Sequence, residues 1–108
     1  MSETLSERLA KLAGWTQRTS DYGEWIDREG RAGTPPDYAN SIDAQIRDLD
    51  PLVEAKWGKI IGESYSHTQD GRVMWDLFLG QGGRVTAYGP TRASARLAAL
   101  MAAMEAAK

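Results

Sequence analysis

The stretch Val73–Leu79, with the sequence VMWDLFL, has the pattern of a β-strand covered by other parts of the protein. Every second residue from Val73 onward is large and apolar, and a period of two places those side chains on one face. On the other face Met74 and Phe78 are also apolar, and Asp76 is the exception. The sequence therefore predicts a strand with both faces at least partly covered.

Two further strands are predicted beside this one. They are Lys59–His67 and Arg84–Tyr88, and turn residues at Asp70-Gly71 and Gly80–Gly83 separate the three strands. Connections this short make neighbouring strands antiparallel, because a parallel return needs about a dozen residues or more. We expect an antiparallel sheet of three strands or slightly more.

Helical patterns precede this sheet. Thr4 and Glu7 have capping-box spacing, and the helix that they begin is expected to end near Gly14. A second helix is predicted from Asp21 to Gly30, with its apolar residues on one face.

A linker and a third helix follow. Arg31–Pro36 is predicted to be a linker, because its paired prolines force extended backbone. Asn40 or Ser41 is expected to cap the third helix, and Asp50-Pro51 to end it. Residues 52–58 fit either a helical turn or a loop.

The chain closes with an alanine-rich helix from Thr91 onward, a composition that favours helix and close packing onto the sheet. The predicted fold is α+β, in the order α-α-α-β-β-β-α, with the sheet sandwiched between helices. A single domain is expected over 1–108, with N-terminal helices and a linker in 1–34 and the sandwich core in 35–108.

Composition excludes several classes of protein. The 108 residues include 13 basic and 15 acidic side chains, for a net charge of −2. This balance does not predict a nucleic-acid binder, whose domain is usually plainly basic. The absence of cysteine excludes disulfides and thiolate chemistry. With no apolar run of membrane-spanning length and no signal-peptide pattern, a cytoplasmic location is expected.

Several stretches together resemble the phage ABA sandwich domain, a family of small phage and prophage proteins. They are Pro36–Ala44 before a helix, Trp57 at the approach to the sheet, Val85–Thr91, and the small-residue-rich helix Ala93–Ala107. The resemblance implies a sheet between helical layers and a phage or prophage origin. It supplies no catalytic residues.

No catalytic group and no metal site are predicted. His67 is the only histidine and has no evident partner for acid–base work or metal binding. Asp43, Asp50 and Glu54 fall on one side of a helix and its exit, but no coordinating loop accompanies them. The glycines of Gly80–Gly83 lack phosphate-loop spacing and are predicted to form a hairpin turn.

The corner where the third strand passes into the last helix is the predicted ligand site. A helix start offers free amide groups and a favourable dipole to an anion, and arginines and hydroxyls lie nearby. An ordinary helix cap with solvated arginines explains the same residues. The candidate ligand-binding residues are Tyr65, Arg84, Tyr88, Thr91, Arg92, Ser94 and Arg96.

These observations favour a non-enzymatic binding protein without a cofactor. From the resemblance, the expected function is counter-defence, in which the protein binds a host immune protein. One alternative is a sponge that sequesters a cyclic or other signalling nucleotide, and another is a metal-dependent nucleotide-cleaving enzyme. The alanine-rich helix or a sheet edge also offers a surface for self-association.

Overall fold

The computed structural model describes residues 4–17 and 24–106, which form two antiparallel three-stranded sheets and four helices. This confirms the predicted α+β class. The elements are α1 (Leu5–Leu12), β1 (Thr16–Gln17), β2 (Trp25–Ile26), β3 (Ala32–Gly33), α2 (Ile42–Asp48), α3 (Asp50–Trp57), β4 (Ile60–His67), β5 (Val73–Leu79), β6 (Arg84–Gly89) and α4 (Arg92–Glu105). Within these described residues, no helix is both long and apolar enough to cross a membrane.

The larger sheet has the predicted antiparallel pairing, with β5 between β4 and β6. Trp75 at its centre lies opposite Tyr65 on one side and Ala87 on the other. The predicted hairpin turn at Gly80–Gly83 is confirmed: Gly82 has a φ of 81°, a conformation that glycine adopts without steric cost. The register shifts near the start of β4, where Ile61 forms a bulge.

The predicted second helix is wrong where the structure describes it, because β2 and β3 form a hairpin there. The Asp27 carboxylate accepts hydrogen bonds from the amide groups of Glu29 and Arg31, and Gly30 has a φ of 84°. This local turn competes with a helix for the same backbone groups. The first residues of the predicted helix, 21–23, lie outside the described part.

The dipeptide Asp50-Pro51 begins a helix instead of ending one. α2 stops at Asp48, and α3 starts at Asp50 with Pro51 in its first turn. Proline is tolerated at this position because its missing N–H would have no intrahelical partner. The ambiguous segment 52–58 is therefore largely helical, and the predicted element order differs at this point and at the N-terminal sheet.

The terminal helix α4 lies in the middle of the helical layer. One side packs on β5 and β6, and α2 and α3 pack against it from another side. Leu97, Ala99 and Leu100 are buried in this core. A Cβ at Gly89 would lie 2.6 Å from the Ala95 nitrogen, so only glycine permits this close approach of β6 to the start of α4.

The helices that contact the larger sheet cover the face that carries Trp75 and Leu77. The expected helices on its second face are not present among the described residues. Ser64, Thr86 and Tyr88 on that face are exposed. We call it the open face, and its residues are Gly62, Ser64, Ser66, Met74, Asp76, Phe78, Arg84, Thr86 and Tyr88.

Gln45 joins α2 to α4 through a buried side-chain amide. Its Nε2 donates hydrogen bonds to the carbonyl oxygens of Tyr38, at 2.7 Å, and Ala93, at 2.9 Å. The residue is 0% exposed, so water cannot replace these bonds. At the other end of α4, the Trp57 Nε1 donates to the Ala103 carbonyl at 2.8 Å. Each of these contacts ties one end of α4 to a neighbouring helix.

We expect Gln45→Leu to lower the free energy of unfolding by about 2 kcal/mol, because the buried Tyr38 carbonyl oxygen loses its side-chain donor. The matched control is Gln81→Leu in the exposed hairpin turn, which should change it by about 0.5 kcal/mol or less. Urea unfolding followed by tryptophan fluorescence measures both variants. Equal losses would contradict the role assigned to Gln45.

Candidate binding surfaces

The seven residues predicted to bind a ligand lie in three separate places. Thr91, Ser94, Arg92 and Tyr65 lie at the start of α4 and the neighbouring edge of the sheet. Arg96 is buried below them. The remaining two, Arg84 and Tyr88, belong to the open face. Tyr65 and Tyr88 therefore lie on opposite faces of the sheet.

Arg96 is 1% exposed and bridges α4 to α3 and β4. Two nitrogens contact Asp50 at 3.0 and 2.8 Å, and Nε contacts the Glu63 carboxylate at 2.7 Å. Two longer bonds, to Glu63 at 3.2 Å and to the Gln45 side-chain oxygen at 3.4 Å, complete the set. A guanidinium has five N–H donors, and these contacts use all of them. The geometry does not support a further bond from Arg96 to a ligand anion.

Thr91 and Ser94 cap α4 reciprocally. The Ser94 amide donates to the Thr91 hydroxyl at 3.1 Å, and the Thr91 amide donates to the Ser94 hydroxyl at 3.0 Å. This capping box satisfies amide groups at the helix start. The cap of the alternative that the sequence analysis left open is thus present, whereas Arg96 is buried and not solvated as that alternative expected.

Arg92 lies beside this cap, with its guanidinium 4.7 Å from the centre of the Tyr65 ring. The Tyr65 ring also stacks on Trp75, with a centroid distance of 5.2 Å and an interplanar angle of 9°. Two neighbours therefore already contact the aromatic group that a nucleobase would use. A base would have to compete with them for Tyr65.

The open face carries two arginine–aromatic pairs. The Arg72 guanidinium lies 5.2 Å from the centre of the Tyr88 ring, and Arg84 lies 5.6 Å from the centre of the Phe78 ring. Cation–π contacts of this kind hold both partners in place on an exposed surface. Half-buried Met74 lies on the same face, next to Tyr88 in the pairing of β5 with β6.

Asp76 holds the centre of the open face and is only 4% exposed. Its carboxylate accepts hydrogen bonds from the Thr86 hydroxyl and, at 3.3 Å each, from two nitrogens of Arg84. The hydrogen bond from Thr86, followed by that from Arg84, holds the pKa of Asp76 below its usual range. The carboxylate is therefore ionised near neutral pH and anchors Arg84.

The sequence analysis missed a polar cleft of about 450 Å³ between the N-terminal sheet and α2. Charged residues of both signs line it, so that acidic and basic groups offset each other. Among its lining residues are Trp15, Asp27, Arg28, Arg31, Arg47 and Asp48.

A chain of hydrogen bonds forms one wall of this cleft. Trp15 donates from Nε1 to the Tyr38 hydroxyl at 3.1 Å, which donates to Asp48 at 2.6 Å. The hydrogen bond from Arg47 is the main reason that the pKa of Asp48 lies below its usual range. Because these contacts join residues far apart in sequence, no local pattern reveals the cleft.

The carboxylates and the histidine that the sequence analysis considered as possible metal or catalytic groups make the following contacts. Asp50 is bound by Arg96, and Glu54 accepts a hydrogen bond from the Ile60 amide at 3.2 Å. Across residues 4–17 and 24–106, no group of three or more metal-binding side chains comes together. His67 is exposed, and its ring contacts the Tyr65 ring edge-on at a centroid distance of 6.3 Å.

Comparisons with protein-family models, with curated proteins and with solved structures find no match to this chain. The resemblance to the phage ABA sandwich domain therefore stays a prediction.

We expect Arg96→Met to lower the free energy of unfolding by about 3 kcal/mol, because Asp50, whose side chain is 13% exposed, would keep its charge without its partner. Arg92→Met, one turn earlier on α4 and exposed, is the matched control and should cost about 1 kcal/mol or less. Urea unfolding gives both values. Similar losses in the two variants would show that the buried cluster does not stabilise the fold.

We also expect a loss of stability in alkali that depends on Tyr38. Burial, and next the hydrogen bond to Asp48, raise the pKa of Tyr38 to about 12. An unfolded tyrosine has a pKa of about 10, so only the unfolded state ionises between these values. This contribution is fully present below about pH 10 and falls as the pH rises toward about 12, by about 3 kcal/mol in all.

Urea unfolding at a series of pH values measures this effect, and absorbance at the tyrosinate band reports ionisation directly. Tyr38→Phe is the control, because it removes the ionisable group while keeping the ring. The variant should show a shallower loss of stability in the same pH range. Identical slopes in the two proteins would contradict the raised pKa.

Proposed function

We propose that this protein is a non-enzymatic binding protein that blocks another protein through its open face. In keeping with the resemblance described above, we propose a phage or prophage origin and a host defence protein in the host cytoplasm as the partner. The observation that carries this proposal is the pair of arginine–aromatic contacts arranged around the buried carboxylate of Asp76.

The residue types of the open face support a protein partner. Tyrosine, phenylalanine, methionine and arginine are enriched in protein interfaces, and tyrosine and arginine dominate their hot spots. Tyr88 is 47% exposed and thus available for contact.

The open face is also held in position before binding. Asp76 and Phe78 anchor Arg84, and Arg72 packs on Tyr88. Restricting these long side chains in advance reduces the conformational entropy that binding would otherwise cost.

The shape of this surface favours a protein over a small molecule. Small-molecule sites are concave and enclose most of their ligand, whereas the face of a three-stranded sheet is broad. The rival function, nucleotide sequestration, uses a different place on the molecule, Arg92 and Tyr65 at the start of α4. Substitutions can therefore separate the two functions.

We expect Tyr88→Ala and Arg84→Ala each to weaken binding to the host partner by about 30-fold or more, as for central hot-spot residues. The partner is first captured from host lysate by the wild-type protein and identified by mass spectrometry. Its affinity for purified variants is then measured by calorimetry. Arg92→Ala, on the opposite side of the sheet, is the matched control and should bind like the wild type.

Two results would overturn the proposal. One is a partner that binds both open-face variants as tightly as the wild type, provided that circular dichroism shows the variants folded. The other is a nucleotide released from the purified protein by heating and lost in Arg92→Ala, which would favour the sponge.

A further inference from the structure

Strand β4 forms an edge of the larger sheet, because β5 is its neighbour in the sheet order on one side only. All five residues of Glu63–His67 are exposed. An edge of this kind presents unpaired backbone donors and acceptors that another strand can bind.

The backbone groups that point outward can be assigned from the turn between β4 and β5. The Thr68 amide donates to the Arg72 carbonyl at 2.8 Å, so these two residues form a hydrogen-bonded pair. In an antiparallel ladder, hydrogen-bonded and non-hydrogen-bonded pairs alternate. Ser66 and Ser64 therefore turn their backbone groups toward β5. Glu63, Tyr65 and His67 turn theirs away from the sheet.

The opposite end of β5 supports the same assignment. The Leu79 amide donates to the Gly83 carbonyl at 2.8 Å, which makes Leu79 part of a hydrogen-bonded pair with the β6 side. By alternation, Leu77 also turns toward β6, and Asp76 turns toward Ser64 on β4. The assignments made from the two ends of β5 therefore agree that the backbone N–H and C=O of Tyr65 point away from β5.

This edge has only two of the features that usually prevent pairing, a bulge near its start and one inward-pointing charge. Proteins protect edge strands with lysine, proline, bulges or short length. β4 is eight residues long and contains no proline, lysine or arginine, and its bulge at Ile61 lies near its start. Its one charged side chain, Glu63, is drawn inward by Arg96 at 2.7 Å and by the Trp75 Nε1 at 3.0 Å.

We propose that β4 pairs antiparallel with β4 of a second copy of this chain, so that two three-stranded sheets join into one of six strands. With the two-fold axis at Tyr65, each outward residue meets an outward residue of the second copy. Tyr65 then faces Tyr65 of the second copy, and Glu63 faces His67 of the second copy. The pairing closes six backbone hydrogen bonds, since each outward residue of both strands donates one.

The strand is complementary to itself in this register. No like charges of the two strands face each other, because Glu63 meets His67. Ser64 meets Ser66, and both of these side chains are small. Because the pairing uses the sheet edge, it leaves the open face uncovered and stands independently of the function proposed above.

Amide exchange tests the proposal at single-residue level. A lone strand pair buries little surface, so we expect a weak dimer, with dissociation in the range of about 10 μM to 1 mM. As the protein concentration rises through this range, the Glu63, Tyr65 and His67 amides should exchange more slowly. The Ser64 and Ser66 amides should be protected equally at all concentrations, because β5 binds them.

Two substitutions of one residue provide a matched pair. His67→Pro removes an outward N–H without removing a bond to β5, and should weaken the dimer at least about tenfold. His67→Ala keeps that N–H and should stay within about threefold of the wild type. Tyr65→Lys, which places like charges opposite each other, should abolish the dimer, while Tyr65→Phe should keep it.

Sedimentation equilibrium measures the association of each variant, and circular dichroism confirms its fold. A wild-type protein that stays monomeric up to about 1 mM would overturn the proposal. So would a dimer whose outward amides exchange as fast as in the monomer, or one that His67→Pro and Tyr65→Lys leave unchanged. Protection of those amides only after a foreign peptide is added would identify a different occupant and equally reject the second copy.

Discussion

The buried guanidinium of Arg96 is the contact on which the packing of the C-terminal part depends. A charge that is 1% exposed is tolerated only when it is fully paired, and Asp50 and Glu63 supply that pairing from α3 and β4. One side chain of α4 thereby sets the start of α3 and draws in the only charge on the edge strand. Gln45 likewise joins α2 to α4. Through Arg96 and Gln45, α4 is therefore bonded to α2, α3 and the larger sheet.

This central position of α4 determines which surfaces are left for binding. Because α2 and α3 pack against α4 and not against the second face of the sheet, the open face keeps its arginines and aromatic rings exposed. The same arrangement leaves the backbone of β4 accessible along Glu63–His67. The alanine-rich helix is largely buried within the protein, so its small residues serve packing in this chain.

Local features of the chain were predictable because each depends on residues close in sequence. The period of two in Val73–Leu79, the glycines of the hairpin turns and the helix cap at Thr4 are of this kind. The second helix was predicted wrongly because its apolar spacing outweighed a turn signal at Asp27. The candidate site was predicted less well, since Arg96 contacts residues 33 and 46 positions away.

By itself, the sequence determined the α+β class, the three strands of the larger sheet, their antiparallel pairing and the cap of the last helix. Periodicity and turn chemistry carry this information, because they act over a few residues. Only the tertiary structure decided that Arg96 is buried, that Tyr65 and Tyr88 lie on opposite faces, and that one face of the sheet is open. The sequence shows which residues are apolar and must be buried, and which are charged and need a partner when they are buried. The elements that bury or pair them come from distant parts of the chain, so only the tertiary structure identifies them.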